Sequence, residues 1–227
     1  MKRSQINKIQ KDAVEFLKKQ KFYLPPFAFW RPLDWKNKGQ ECREIVDNML
    51  GWDLTDFGKG DYYELGILLF TIRNGNLKNK KYKKPYAEKI LLSDSKEMAP
   101  MHFHWKKMED IINRGKNKLL IQIYNSTKDG GLAKTDVSFS VDGMAKKITA
   151  GSIVKLSAGE SITLVPGIYH KFWPENGILF LGEVSTVNDD VCDNRFYEKM
   201  GRFPTIEEDE ETLYPLCFEY AKYCKFL

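Results

Sequence analysis

From Tyr62 onward the chain breaks into short apolar or alternating runs closed by glycine-containing pairs, and this rhythm restricts the fold more than any other feature. The runs cover residues 63–73, 87–92, 101–105, 118–124, 137–141, 152–156, 161–165 and 178–184. Between many of them stand Asn74-Gly75, Asp142-Gly143, Ala158-Gly159, Pro166-Gly167 and Asn176-Gly177, pairs whose backbone preferences suit tight turns. Strands at this spacing predict a mainly β protein, built as an antiparallel barrel or a double-sheet jelly roll.

The first sixty residues read differently. Ile6, Ile9, Ala13, Phe16 and Leu17 recur at helical spacing, and Leu24-Pro25-Pro26 ends any helix because proline lacks the donor. A second short helix is expected over 41–50, where Ile45, Val46, Met49 and Leu50 share a face and Gly51 supplies a stop. After Val184 the strand signal fades. A terminal helix is expected with Leu216, Cys217, Tyr220 and Tyr223 on one side and Pro215 in its first turn. With 227 residues and no linker or repeat, the chain reads as one domain over 1–227, with 1–60 as a helical extension packed on the barrel.

The formal charge is +5, and much of the excess lies in the run 74–84, NGNLKNKKYKK. Without a recognition motif this reads as a solvated loop, so no nucleic-acid partner is expected. No run approaches the roughly 18 apolar residues of a membrane span. The opening residues interrupt any apolar run with Lys and Asp, so no secretory signal is expected. Cys42, Cys192, Cys217 and Cys224 form no C-x-x-C pair, which suits reduced thiols in a cytoplasmic protein.

Only three histidines occur. His102 and His104 flank Phe103, and on a strand that spacing points both imidazoles to one face. Glu109 follows closely enough to return a carboxylate to that face. His170, just beyond Pro166-Gly167, reaches a position opposite the pair if the sheet is antiparallel. Three imidazoles and a carboxylate predict one divalent ion per chain. That donor set suits manganese, iron, cobalt, nickel or zinc without choosing among them.

His102 to Gly115, H-x-H-x(4)-E-x(5)-G, resembles the first metal motif of the cupin superfamily, and Pro166 to His170, P-G-x-x-H, resembles the second. MHFHWKKMEDIINRG, PGIYHKFWPENGILFLGEVSTVNDDVCDNRF and LGWDLTDFGKGDYYELGILLFTIRNG more narrowly resemble the bacterial D-lyxose isomerases. The resemblance implies a cupin-type double-stranded β-helix, manganese and a homodimer. It also implies interconversion of D-lyxose with D-xylulose, and of D-mannose with D-fructose.

That reaction takes a proton from carbon beside a carbonyl, where a divalent ion stabilises the developing oxygen charge and a placed base adds roughly 100- to 10,000-fold. The expected path is a metal-stabilised cis-enediol, with a hydride shift as competitor. Candidates for the chemistry are Lys89, Lys107, Glu183, Asp190 and Arg195. Trp105, Trp173, Glu207 and Glu208 are candidates for substrate contact. A cupin-type Fe(II) dioxygenase and a non-catalytic sugar-binding cupin are the alternatives.

Overall fold

The structure is a computed structural model, and it describes residues 1–190 and 192–227. It opens with α1 (Arg3–Lys19), whose buried side chains Ile6, Ile9, Ala13 and Leu17 repeat at the predicted helical interval. Two further short helices follow, α2 (Pro32–Lys36) and α3 (Arg43–Asp47). The second is shorter than the 41–50 expected, because the chain turns through Met49 at positive φ and enters a strand at Gly51.

Among the described residues thirteen strands follow in chain order: β1 (Gly51–Thr55), β2 (Ile67–Arg73), β3 (Tyr86–Ser93), β4 (Ala99–His104), β5 (Glu109–Asn113), β6 (Leu119–Asn125), β7 (Val137–Val141), β8 (Met144–Ile148), β9 (Ile153–Leu156), β10 (Ser161–Leu164), β11 (Ile168–Pro174), β12 (Leu179–Thr186) and β13 (Asn194–Phe196). They form two antiparallel sheets. The larger runs β1-β2-β3-β12-β5-β10-β7-β8, and the smaller runs β13-β4-β11-β6-β9. This is the mainly β, two-sheet architecture that the turn spacing predicts. The β7–β8 turn places Asp142 and Gly143 both at positive φ, the backbone a two-residue hairpin needs to follow strand twist.

Period-two alternation divides the apolar residues between two cores. Ile67, Leu69, Leu91, Ile111, Leu181, Ile121 and Phe172 face the space between the sheets. Leu68, Phe70, Ile90, Leu92 and Phe180 face outward from the larger sheet and are covered by Ile6, Ile9, Ala13 and Leu17 of α1. Both faces of β2 and β3 are therefore buried, which explains the near-continuous apolar runs ILLF and ILL. β1 belongs to this sheet, paired with β2 from Gly51↔Thr71 to Thr55↔Ile67. The sheet thus begins inside the stretch expected to be a helical extension.

The C-terminal helix is also corrected. Residues Cys217–Lys222 wind as a 3-10 helix, with Leu216 rather than Pro215 at its start. Glu219 in this turn receives both the Leu216 N–H and the guanidinium of Arg3, which is buried and also grips Glu208. Those contacts fix the pitch locally and tie the segment to α1. Among the described residues, no helix is long and apolar enough to cross a membrane.

Phe70 is fully buried, with its ring 5.3 Å from Phe27 and 4.9 Å from Trp52. Phe70→Ala should cost about 3–5 kcal/mol, read as a lower denaturant midpoint at an unchanged slope.

Candidate metal and substrate site

The strand register assembles the site. His170 on β11 lies directly opposite His102 on β4, as the antiparallel reading predicts. Gly167, at positive φ, donates its N–H to the His104 carbonyl and so fixes the turn that launches β11. Ligand nitrogens of His102, His104 and His170 all lie within 4.8 Å of one another. Glu109 completes the group from the facing sheet, not from the same one. The main-chain N–H groups of Lys106 and Lys107 both bond the Asp193 carboxylate at 2.9 Å, fixing the tight turn that carries the chain from β4 across to β5.

Glu109 Oε1 is 3.4 Å from His104 Nε2 and 3.2 Å from His170 Nε2. Ligands at right angles around an ion with bonds of roughly 2.0–2.2 Å stand about 3 Å apart, so these spacings fit a shared cation. The donor atoms fit as well. Nδ1 of His102 lies 2.7 Å from the Pro100 carbonyl, and Nδ1 of His170 lies 3.0 Å from the Ile168 carbonyl. Such bonds orient a ring and leave Nε2 as the ligating atom. Nε2 of His170 is buried without a well-formed hydrogen bond. Burial, with the neighbouring imidazoles, pushes the His102 pKa well down; burial and Lys107 lower that of His104. Both are held neutral, the form a metal requires.

A chain of alternating charges leads away from Glu109. Lys107 Nζ is 2.6 Å from Glu109 Oε2 and 2.9 Å from Glu183 Oε1. Lys89 Nζ lies 3.6 Å from Glu183 and 3.5 Å from Asp190, and Arg202 bridges Asp190 at 3.2 Å to Asp53. Register explains the alignment: Thr71, Lys89, Glu183 and Ile111 lie side by side across β2, β3, β12 and β5, all facing inward. Asp190 is steadied by the segment before it, since Asn188 and Asn74 exchange hydrogen bonds.

These partners control ionisation. Burial alone would lower the Lys107 pKa, but Glu109, Glu183 and Asp190 raise it above the ordinary lysine range. Burial would raise Glu109 and Asp190. Lys107 instead holds the first well below its usual value, and Lys89 with Arg202 does the same for the second.

The histidines, Glu109, Lys89, Lys107, Glu183 and Asp190 line one pocket between the sheets. Phe57, Phe172, Phe196, Leu69 and Leu91 add apolar lining, and Asn194 and Arg202 add polar lining. Arg202 was not foreseen; it sits in an irregular segment whose sequence carries no periodic signal.

Five expected residues lie elsewhere. Trp105, 55% exposed, lies one residue past the end of β4 and packs its ring on outward-facing Phe103, away from the pocket. Trp173, three residues past His170, points outward by strand alternation and packs under the Lys171 ammonium. Arg195 pairs with outward-facing Phe103, and its guanidinium donates to the Phe196 carbonyl. Glu208 is held by Arg3, and Glu207 lies beside Lys2, so neither reaches the pocket.

Comparison with known proteins accords with this arrangement. Residues 1–220 match the family described as D-lyxose isomerase. The D-lyxose/D-mannose isomerase of Serratia proteamaculans is 45% identical over 226 residues, covering 98% of this chain and 99% of its own. That of Escherichia coli O157:H7 is 44% identical over 226 residues, covering 98% and 100%. The solved L-ribose isomerase of Cellulomonas parahominis shares the fold, with a TM-score of 0.61 at 15% identity over 91% of this chain and 98% of that one. Match across nearly the whole length places this chain in the D-lyxose isomerase family of sugar isomerases.

Proposed function

We propose that the protein interconverts D-lyxose with D-xylulose, and D-mannose with D-fructose, through a cis-enediol. The convergence of three imidazoles and Glu109 beside the buried Lys107–Glu183 pair carries this reading. His102, His104, Glu109 and His170 would hold one divalent ion, manganese by the family resemblance. Such an ion supplies Lewis acidity toward the carbonyl and hydroxyl oxygens of the sugar.

Glu183 takes the proton from C2 of the aldose and returns it to C1, leaving the ketose. Its carboxylate is buried, anchored by Lys107 and Lys89, and lines the same pocket as the metal ligands. Lys107, kept charged by its carboxylate neighbours, donates to the sugar oxygen as negative charge develops and passes the hydroxyl proton from O2 to O1. Lys89 and Asp190 bind hydroxyls further along the chain. Four free cysteines suit a reducing, cytoplasmic setting, and the family resemblance supports a homodimer.

Chelation should abolish ketose formation and Mn(II) should restore it; His170→Ala should lose both metal and activity while keeping the far-ultraviolet circular dichroism of the wild type. Glu183→Gln should lower kcat about 100- to 10,000-fold with a smaller change in KM, measured with both sugars. Deuterium from solvent should appear at C1 of the ketose. Complete retention of a C2 substrate label would instead point to a hydride shift.

A further inference from the structure

Phe57 is the one pocket residue held in a backbone conformation that its side chain disfavours. Its φ is +52°, the left-handed region where a bulky aromatic residue is an outlier and where strain accompanies function. The conformation is over-determined by its surroundings. The Phe57 N–H bonds Thr55 Oγ1 at 2.9 Å, the Gly58 N–H bonds Asp56 Oδ1 at 3.0 Å, and the Phe57 carbonyl accepts the Gly201 N–H at 3.2 Å. β1 ends at Thr55, and the kink turns the next aromatic side chain inward instead of letting the strand run on.

The ring it delivers is 6% exposed and lines the same pocket as the histidines. It meets Phe196 edge to face at 5.8 Å, and Phe196 in turn lies 5.7 Å from His102. Phe57 therefore stands one aromatic ring further from the ligand group than Phe196. A sugar held by its first two oxygens at the histidines and Glu109 would extend its remaining carbons away from them, and Phe57 lines the same cavity beyond Phe196.

We infer that Phe57 is a specificity-determining residue, an apolar wall at the far end of the sugar that sets the preference between five- and six-carbon substrates. The inference rests on the isomerase reading above and deepens it. Lyxose and mannose share their reacting carbons and differ by one carbon at the distal end, so a wall there acts on one more than the other. A single carbon's difference in a closed pocket is worth roughly 10- to 200-fold in discrimination.

The test compares Phe57→Leu and Phe57→Trp with the wild type, all loaded with Mn(II). It measures kcat/KM for D-mannose and D-lyxose, and calorimetric affinities for the unreactive polyols D-mannitol and D-arabinitol. Phe57→Leu should raise the six- to five-carbon ratio about 10-fold or more in both turnover and polyol binding, and Phe57→Trp should lower it. Should the Trp variant fail to fold, the Leu ratio alone decides. Equal losses for both sugars and both polyols would reduce Phe57 to a packing residue and overturn the inference. Wild-type protein converting neither sugar would overturn the isomerase reading itself, and the wall with it.

Discussion

Charge in this barrel interior survives only because each group has an opposite neighbour. Lys89, Lys107, Glu109, Glu183 and Asp53 are each at most 4% exposed, and an isolated ion so placed would neutralise or destabilise the fold. Pairing with an opposite charge offsets that cost. The pairs are fixed by strand register, by the Asp193-bound turn that sets Lys107, and by the Asn74–Asn188 link that steadies Asp190. Removing one partner of such a pair typically costs roughly 3–5 kcal/mol, because the other is left uncompensated. Chemistry and stability are therefore hard to separate at these positions.

The same arrangement gives the pocket two unlike kinds of lining. Lys89, Glu109 and Glu183 of the larger sheet, with Lys107 and Asp190 from the loops, share the cavity with the rings of Phe57, Phe172 and Phe196. An open-chain sugar matches this contrast, with hydroxyls to satisfy the charged side and C–H groups to meet the rings. In a low-dielectric setting a charge acts on a developing oxyanion more strongly than it would in water.

Much of this was legible in the sequence. The turn pairs marked a two-sheet β protein, and H-x-H with a distant P-G-x-x-H located three imidazoles that strand pairing brings together. The strands that escaped notice have physical reasons. β8 is exposed along four of its five residues, so MAKKI carries no apolar alternation. β1 is buried along its whole length, so GWDLT shows no alternation and stayed within the stretch expected to be a helical extension. Alternation along β4 and β11 would have excluded Trp105 and Trp173, which stand an odd number of residues from the histidines. Arg195 and the Glu207–Glu208 pair required knowledge of distant partners, Phe103 in one case and Arg3 in the other. Arg202 depended wholly on tertiary placement.

The four candidate ligand residues are divided between the sheets. His102, His104 and His170 project from the smaller, and Glu109 from the larger. An ion gripped by all four would rivet the sandwich through its centre, adding to the side-chain packing, the crossing turns and hydrogen bonds such as that from Asn113 to the Leu156 carbonyl. Affinity for the ion then becomes part of the folding equilibrium, since a ligand that binds only the native state stabilises it by mass action. The melting temperature of the protein would thus follow the free metal concentration around it.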